Sequence, residues 1–330
     1  MSAARYDVTG IGNAIVDVIT QSSDKFLIEN KIEKGAMTLI DTRRAEELYS
    51  KMGAGTESSG GSAANTIAGI ASFGGKAAYI GKVADDQLGK AFAHDIKAIG
   101  VHYATLPLKH GEPTARCLIM VTPDAQRSMN TFLGASSLLS IKDVDAALVK
   151  ESQVTFLEGY LFDPVEAKQA FYEAAGIAHE AGRKVALTLS DKFCVDRHRK
   201  DFQHLIETEV DILFANESEI VSLYETQGFD EAVHILRGKC EIAAVTRSEK
   251  GSVVLKGKDF HIIDPDKVRV VDTTGAGDLY AGGFLFGYAQ GFDLVKAGRL
   301  GSLAASEVIS HFGARPMASL KELARSKGLI

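Results

Sequence analysis

Short apolar segments alternate with longer helical patterns through most of this chain, and this alternation constrains the fold more than any other feature. The predicted strands lie at 77–80, 154–157, 184–189, 211–214 and 242–246, followed by a hairpin-like pair at 252–263. The predicted helices lie at 62–73, 86–98, 165–181, 217–225, 229–237, 277–290 and 293–309. Strands joined by helices form a parallel sheet that helices cover on both faces. The predicted fold class is α/β, with a doubly wound, mostly parallel sheet.

A second group of short strands is predicted early in the chain. Residues 8–11 are a short apolar run that predicts a first strand, and 14–19 alternate in a strand-like way around Asp17. Further candidates lie at 37–40, 101–106, 117–121 and 129–133. These later segments have turn residues between them and no helical period, which indicates a small β-layer. We expect a β-sheet lid built from about 14–40 and 101–133. Because no internal repeat or linker is visible, 1–330 is predicted to be a single domain.

Asp278 is the only charged side chain between Thr273 and Phe292. Burying an unpaired carboxylate among glycine, alanine and large apolar residues costs several kcal/mol, about the effective penalty for a buried ion. The glycine-rich turn before it, at Gly275, Ala276 and Gly277, leaves backbone N–H groups accessible to an anion at a helix start. A carboxylate beside such a loop is placed as required of a base that deprotonates an attacking alcohol. The alternative is a closely packed glycine-rich helix with Asp278 as a first-turn dipole partner.

Two further motifs are candidates for ligand binding. Gly60-Gly61 precedes a helix with Asn65 in its first turn, where glycines admit a polyhydroxy ligand and the amide can donate and accept. The alternative is a plain loop with Ser62 as the N-cap. Asn216 and Glu219 follow a buried strand, at the sheet edge where open α/β sheets bind ligands, and could order water around Mg²⁺. A helix with an Asn N-cap and acidic first-turn residues explains the same residues equally well.

Composition excludes several classes of function. The formal net charge is −6 and the densest basic cluster is 197–200, predicted to lie on a surface loop, so a nucleic-acid groove is not expected. No run of about 18 apolar residues and no apolar signal core at the N-terminus appear, so we expect no membrane association. Three widely spaced cysteines argue against a disulfide framework or a zinc site and favour the cytoplasm.

The motifs GNAIVDVI, GGSAANT, DILFANESE and DTTGAGD, in this order, resemble the ribokinase-like (PfkB) carbohydrate kinases across nearly the whole chain. Within that family, Gly12-Asn13 with Asp17 and the stretches 126–135 and 210–219 look most like the adenosine kinases. The resemblance implies a ribokinase-like fold and an ATP-dependent transferase that acts on an alcohol group. Its first-choice reaction is phosphorylation of the 5′-hydroxyl of a purine nucleoside, adenosine to AMP, in purine salvage.

The resemblance also implies a role for each matching residue. The residues that it implies hold the acceptor are Asn13, Asp17, Gly61 and Asn65. The residues that it implies take part in catalysis are Arg127, which neutralises the transferring phosphate, Gly275, Ala276 and Gly277, which form the anion hole, and Asp278, the base. The residues that it implies bind MgATP are Asn216, Glu219, Thr246 and Gly251, with Glu219 contacting Mg²⁺ indirectly through water.

Some positions depart from the family pattern. Thr188 stands where the family usually has an asparagine near the ATP phosphates, and Ser248 replaces a frequent glycine. Tyr160-Leu161 occurs where adenosine kinases tend to carry paired phenylalanines, one of which stacks on the base. Because aromatic stacking is a main source of base affinity, the adenine assignment is weakened.

Two alternative functions are considered beside phosphorylation of a purine nucleoside. One is a kinase for another sugar of the ribose or fructose type, and the other is a non-catalytic nucleoside sensor. The sensor's expected mark, a lost Asp278 or a broken GAGD, is not seen. The expected partners are ATP and a small nucleoside or sugar, and the chain is expected to be a monomer or homodimer. The sequence leaves open whether a monovalent cation such as K⁺ assists near Asp272 and Thr274.

Overall fold

The computed structural model describes residues 4–124 and 126–330, so residue 125 of the predicted lid lies outside it, as do the first three residues of the predicted domain. The strands are β1 Tyr6–Ile11, β2 Ile15–Gln21, β3 Met37–Leu39, β4 Thr56–Gly60, β5 Ala77–Ile80, β6 His102–Tyr103, β7 Ala115–Val121, β8 Arg127–Phe132, β9 Ser152–Glu158, β10 Lys184–Thr188, β11 Ile212–Asn216, β12 Ile242–Thr246, β13 Ser252–Lys256 and β14 Asp259–Ile263. The helices are α1 Asp24–Glu29, α2 Thr42–Lys51, α3 Ser62–Ser72, α4 Gln87–Ala98, α5 Ala146–Lys150, α6 Val165–Glu180, α7 Lys192–Thr208, α8 Glu217–Tyr224, α9 Phe229–Leu236, α10 Ala276–Ala289, α11 Leu294–Val308 and α12 Leu320–Ser326.

Within the described residues the strands form two sheets. The larger has nine strands in the order β14-β13-β12-β11-β10-β9-β1-β5-β6, parallel from β12 to β6 and antiparallel at β13 and β14. The smaller has five strands in the order β3-β8-β7-β2-β4. This mixed α/β architecture confirms the predicted fold class.

Helices cover both faces of the large sheet because its strands are apolar on both sides. Phe156 and Leu157, adjacent on β9, are fully buried and belong to different core clusters, one on each face. The first cluster includes α3, α10 and α11, and the second includes α6, α7 and α8. None of the helices in 4–124 and 126–330 combines the length and apolar character that a bilayer crossing requires.

One face of the small sheet packs against helices α1 and α2. Val18 of β2 and Leu118 of β7 pack with Leu27 of α1 and Leu48 of α2 in a separate core cluster. Because side chains alternate along a strand, Asp17 points to the opposite face. The strands predicted at 14–19, 37–40, 117–121 and 129–133 all belong to this sheet. Its action as a lid and the single-domain organisation remain predictions.

Two predictions about local structure are wrong. The segment predicted at 101–106 in the small layer forms the short strand β6, which pairs in parallel with β5 at the edge of the large sheet. The basic run 197–200 lies inside α7 rather than on a loop, although the helix is kinked there, with His198 at φ −121° and ψ 23°. The small sheet also contains β4, whose polar sequence TESSG gave no strand signal.

The order of the strands in the large sheet indicates where a ligand site is expected. From β1 the chain passes to β5 and β6 on one side, and later returns to β9 on the other side of β1. Ligands of open α/β sheets bind outside the carboxyl ends of the strands at such a reversal. The carboxyl ends of β1 and β9 lead to Asn13 and Glu158, which hydrogen-bond each other at this point.

Candidate active site

Asp278 lies in the first turn of α10 and is held by two side chains from the start of α3. Its Oδ1 accepts a hydrogen bond from Ser62 Oγ at 2.6 Å, and its Oδ2 accepts one from Asn65 Nδ2 at 3.0 Å. Thr66 Oγ1 also donates to the Asp278 backbone carbonyl at 3.0 Å. Burial raises the pKa of Asp278, while the bonds from Ser62 and Asn65 act in the opposite direction. The carboxylate is therefore fixed in orientation and poorly solvated, which suits a proton acceptor.

Glycines allow α3 and α10 to approach closely enough for these contacts. A Cβ on Gly69 would lie 2.7 Å from Leu279 Cδ1, and one on Gly282 would lie 2.8 Å from the Thr66 carbonyl oxygen. The close packing expected of a glycine-rich helix is therefore present. The alternative role for Ser62 as the N-cap is wrong, because Gly61 occupies the N-cap position and Ser62 bonds Asp278 across the helix interface.

The loop before α10 has a conformation that suits only glycine at its start. Gly275 is the N-cap with φ +79°, and a Cβ there would lie 2.8 Å from the Ala314 carbonyl oxygen. Among residues 4–124 and 126–330 no side chain caps the helix at this end, so orphan N–H groups remain in the first turn. The Ala276 N–H donates to Thr273 at 3.3 Å, while a Cβ on Gly277 would meet only open space. The anion hole at Gly275, Ala276 and Gly277 remains a prediction.

Arg127, at the start of β8, connects the small sheet to this loop. Its Nη1 lies 2.7 Å from Asp272 Oδ2 and donates to Thr274 Oγ1 at 2.9 Å. Both partners of the ion pair are buried, with side-chain exposures of 10% for Arg127 and 4% for Asp272. The pair therefore fixes the small sheet against the loop that precedes Asp278. Neutralisation of phosphate by Arg127 remains a prediction.

Asp17 faces the same region without a protein partner. Its carboxylate makes no hydrogen bond to another described residue. Burial raises the pKa of Asp17 to about 7, while Arg315 and Arg127 lower it and the negative charge of Asp278 raises it. A partly desolvated carboxylate with free lone pairs suits hydroxyl donors of a ligand.

Asn13 is positioned by protein contacts on every side. It is 1% exposed, its Nδ2 donates to Glu158 Oε1 at 2.6 Å and its Oδ1 accepts from Ser136 Oγ at 2.8 Å. The other Glu158 oxygen accepts the Ala63 N–H at 2.8 Å, which ties β9 to the start of α3. Burial raises the pKa of Glu158 to about 7. Direct contact of Asn13 with an acceptor remains a prediction.

The glycine pair before α3 is required by the backbone. Gly61 has φ +96°, and a Cβ there would collide with the Asn13 carbonyl oxygen. A Cβ on Gly60 would lie 2.5 Å from Asp17 Oδ2. Asn65, 4% exposed, has an Oδ1 without a hydrogen-bond partner among the described residues. This turn therefore leaves Asp17 and one Asn65 acceptor free beside Asp278.

Asn216 and Glu219 form a capping box at the start of α8, as the structural alternative predicted. Asn216 Oδ1 accepts the Glu219 N–H at 2.9 Å, and Glu219 Oε2 accepts the Asn216 N–H at 2.9 Å. Burial raises the pKa of Glu219 to about 7, and the charges of Asp191 and Asp278 add to this rise. A cation would offset these negative charges, so the donor set fits Mg²⁺ held mainly by phosphate. The role of the pair in MgATP binding remains a prediction.

The predicted ATP-binding loop follows β12. Thr246 ends that strand, and Gly251 has φ +78°, where a Cβ would collide with the Ile263 carbonyl oxygen. Ser248, at the position of the family glycine, also has a positive φ of +52°, which explains why glycine suits this turn. The nucleotide-binding role of Thr246 and Gly251 remains a prediction.

The raised carboxyl pKa values predict how stability depends on pH. Asp17, Glu158 and Glu219 have ordinary values of 3.8 to 4.5 and folded values of about 7. Between these limits the folded state binds more protons than the unfolded chain, so stability falls as pH rises. We expect the melting temperature of the ligand-free protein to fall by roughly 5 °C or more from pH 5.5 to 8.

Calorimetry across this pH range is the measurement, and Asp17→Asn is the informative variant. It removes one of the raised groups without removing a protein hydrogen bond, so the pH slope should become shallower. A melting temperature that is constant or rises with pH would contradict the assigned pKa directions.

Sequence reasoning missed several residues of the site. A glutamate ends the otherwise apolar segment before Gly159, which was a usable signal for Glu158. Ser62 looked like a cap, and the partner of Arg127, Asp272, lies too far along the chain for local patterns to pair them. Nothing in the sequence around Arg315 singled it out.

Comparisons with known proteins agree on a kinase architecture. Residues 32–321 match the model of the pfkB family carbohydrate kinases. The solved structure of adenosine kinase from Sinorhizobium meliloti is 56% identical, with a TM-score of 0.93, and the match covers 98% of this chain and 100% of that one.

Two other relatives carry sugar kinase names. A probable sugar kinase from Rhizobium etli CFN 42 is 55% identical over 99% of this chain and 100% of its own, with a TM-score of 0.94. The 5-dehydro-2-deoxygluconokinase of Shouchella clausii is 27% identical over 80% of this chain and 84% of its own. The comparisons therefore agree on the class of reaction and differ on the acceptor.

Proposed function

The chain belongs to the pfkB family of carbohydrate kinases, and we propose that it transfers the γ-phosphoryl group of ATP to the 5′-hydroxyl of a purine nucleoside, with adenosine as first choice. The observation that carries this proposal is the Asp278 carboxylate, held by Ser62 and Asn65 at the uncapped start of α10. The 56% identity to an adenosine kinase supports the choice of acceptor.

In this proposal Asp278 is the general base. As the acceptor oxygen forms its bond to the γ-phosphorus, its proton passes to Asp278, the bond between the γ-phosphorus and the bridging oxygen breaks, and ADP leaves. The reaction depends on positioning and charge stabilisation, because phosphoryl transfer requires little covalent participation by the protein. The N–H groups at 275–277 and the Arg127 guanidinium stabilise its charge.

The remaining predicted residues hold the two substrates. Asp17 accepts hydrogen bonds from two hydroxyls of the acceptor, while Asn13, Gly61 and Asn65 shape its pocket. Glu219, which is buried and hydrogen-bonded to Asn216, would order water on a Mg²⁺ ion held by ATP. The loop from Thr246 to Gly251 would bind the nucleotide. When bound with ATP, Mg²⁺ neutralises phosphate charge. The five-stranded sheet acts as the lid that excludes water.

A free sugar is the second candidate acceptor. Two observations favour it. Tyr160-Leu161 replaces the paired phenylalanines that the adenosine kinases tend to carry, and one relative is named 5-dehydro-2-deoxygluconokinase, a sugar kinase name. In the structure Tyr160 donates to the Ser190 carbonyl at 3.4 Å and Leu161 is buried in the core, so neither supplies the expected ring pair.

A coupled assay of ATP consumption tests the proposal. The acceptors are adenosine, guanosine, inosine, cytidine, ribose and fructose 6-phosphate, with the Asp278→Asn variant as the background control. We expect kcat/KM for a purine nucleoside to exceed that for either sugar by about tenfold or more. Preference for a free sugar would replace the nucleoside assignment, and ATP consumption that no acceptor stimulates would remove the kinase assignment for these compounds.

A further inference from the structure

Arg315 is a half-buried arginine, and two of its guanidinium nitrogens have no hydrogen-bond partner among the described residues. It follows Ala314, which packs against Gly275 of the loop before α10. Its Nε and Nη2 atoms are inaccessible to solvent and have no hydrogen-bond partner among the described residues. Burial lowers the pKa of Arg315, and the opposing charges that act on it come from Asp17 first and then from Asp95 and Tyr79.

This arrangement is unfavourable for the protein alone. A buried cation without partners destabilises a fold, and a buried guanidinium normally pairs with a carboxylate or with carbonyl groups. The Asp17 carboxylate is the reciprocal case, since it is half-buried and has no hydrogen-bond partner among the described residues. Two opposite charges therefore face the same region, and neither is satisfied by a direct bond to the other.

A hydroxyl group has the chemistry that satisfies both. It donates one hydrogen bond, which suits the carboxylate, and it accepts through two lone pairs, which suits the guanidinium. A planar guanidinium presents several donors in a fixed fork and can therefore serve two neighbouring oxygens at once.

We propose that Arg315 binds the acceptor together with Asp17. Arg315 donates hydrogen bonds to two vicinal hydroxyls, and Asp17 accepts hydrogen bonds from the same hydroxyls. This pair selects ribo acceptors over deoxy analogues. The inference rests on the proposed function, which supplies an acceptor with a vicinal diol. Arg315 is then a specificity-determining residue. An analogue that lacks one hydroxyl leaves Arg315 and Asp17 each with a missing hydrogen bond. Sites that hydrogen-bond a substrate hydroxyl reject analogues without it strongly.

The test variant is Arg315→Met, which keeps an unbranched apolar side chain and removes the charge and donors. We expect KM for the ribo acceptor to rise by about 10- to 100-fold, the range for losing a hydrogen bond to a charged group. KM for ATP and kcat should stay within about threefold. The discrimination against the 2′-deoxy and 3′-deoxy acceptors should also fall, by less than the rise in KM, because the ribo form loses two contacts with the guanidinium and each deoxy form loses one.

Arg116→Met is the matched control. Arg116 also has a buried Nε without a partner, but it precedes Cys117, which pairs with Asp17 across β7 and β2. Because side chains alternate, Arg116 projects from the other face of the small sheet, where it lies over the Tyr49 ring at 5.5 Å. Its replacement should leave both KM values and the deoxy discrimination unchanged.

Thermal stability separates a binding role from a structural one. If Arg315 is held unpaired for a ligand, the ligand-free Arg315→Met variant should melt at the same temperature as the wild type or higher. A lower melting temperature with unchanged KM and unchanged discrimination would overturn the inference, as would a rise in KM for ATP alone. Should Arg315→Met fail to fold, Arg315→Lys keeps the charge without the fork, and unchanged deoxy discrimination in that variant would overturn the inference equally.

The activity of the wild type separates a failure of the proposed function from a failure of the role assigned to Arg315. If the wild type phosphorylates no diol-containing acceptor, the proposed function fails and the role of Arg315 fails with it. If the wild type phosphorylates a nucleoside while Arg315→Met behaves like Arg116→Met, only the role of Arg315 is rejected.

Discussion

Replacing Asp278 by asparagine should lower kcat by about 10³-fold, within the range that general base catalysis contributes. Asparagine has nearly the same shape, and its Oδ1 can still accept the hydrogen bond from Ser62. Its amide nitrogen can donate to Asn65 Oδ1, which has no partner among the described residues, once the Asn65 amide is flipped. Asparagine cannot take a proton from an attacking hydroxyl. Steady-state kinetics with saturating ATP and acceptor measure the loss, and equilibrium binding of each ligand should change by less than about tenfold.

The same variant should not be destabilised. Because burial raises the pKa of Asp278 in the folded state, its ionised form opposes folding at neutral pH, and a neutral amide removes that penalty. Asp230→Asn is the matched control, since Asp230 also lies in the first turn of a helix but is exposed and belongs to none of the site motifs. Equal activity of the two variants would contradict the role of Asp278.

Replacing Arg127 by methionine has the second largest expected effect. Removing one stabilising donor from a phosphoryl transfer site lowers kcat by about 10²- to 10³-fold. The variant also leaves Asp272 buried and unpaired, which destabilises a protein by about 3–5 kcal/mol. Urea denaturation measures the second effect and kinetics measure the first.

The double variant Arg127→Met with Asp272→Asn separates these two effects. Removing both charges abolishes the unpaired ion, so most of the lost free energy of unfolding should return. The turnover should not return, because the guanidinium is still absent. Recovery of turnover together with stability would mean that Arg127 only holds the small sheet in place.

The large sheet could be predicted because each of its elements carries its own signal. Helices α3, α6, α10 and α11 and strands β5 and β12 lie within one or two residues of their predicted bounds. Their apolar periods reflect burial against a core, and the period follows from local geometry alone. Helix α7 was missed because nine of its 17 residues are the charged or His residues of KFCVDRHRKDFQHLIET, which interrupt the apolar pattern.

The site could be predicted only in part. Asp278 was identifiable because a lone carboxylate in an apolar, glycine-rich segment needs an explanation. Its bonds to Ser62 and Asn65 join residues more than 200 positions apart, and a single sequence carries no signal for such pairs. Arg315 illustrates the same limit, since only packing decides whether an arginine is exposed and paired or buried and unpaired.

The capping box at Asn216 and Glu219 shows how one pattern can serve two interpretations. Both the helix cap and the MgATP site predict an Asn followed three residues later by Glu, and the hydrogen bonds of the cap are present. Burial of Glu219 beside Asp191 and Asp278 is the additional feature that a cap alone does not require.

The central claim, that Asp278 accepts the proton of the attacking hydroxyl, is tested most directly by single-turnover phosphoryl transfer with γ-labelled ATP. Enzyme in excess over ATP, with saturating adenosine or the preferred acceptor of the screen, is quenched at increasing times and the labelled acceptor is quantified. We expect Asp278→Asn to bind both ligands and to transfer label about 10³-fold more slowly than the wild type. Transfer at the wild-type rate in that variant would show that Asp278 is not the base.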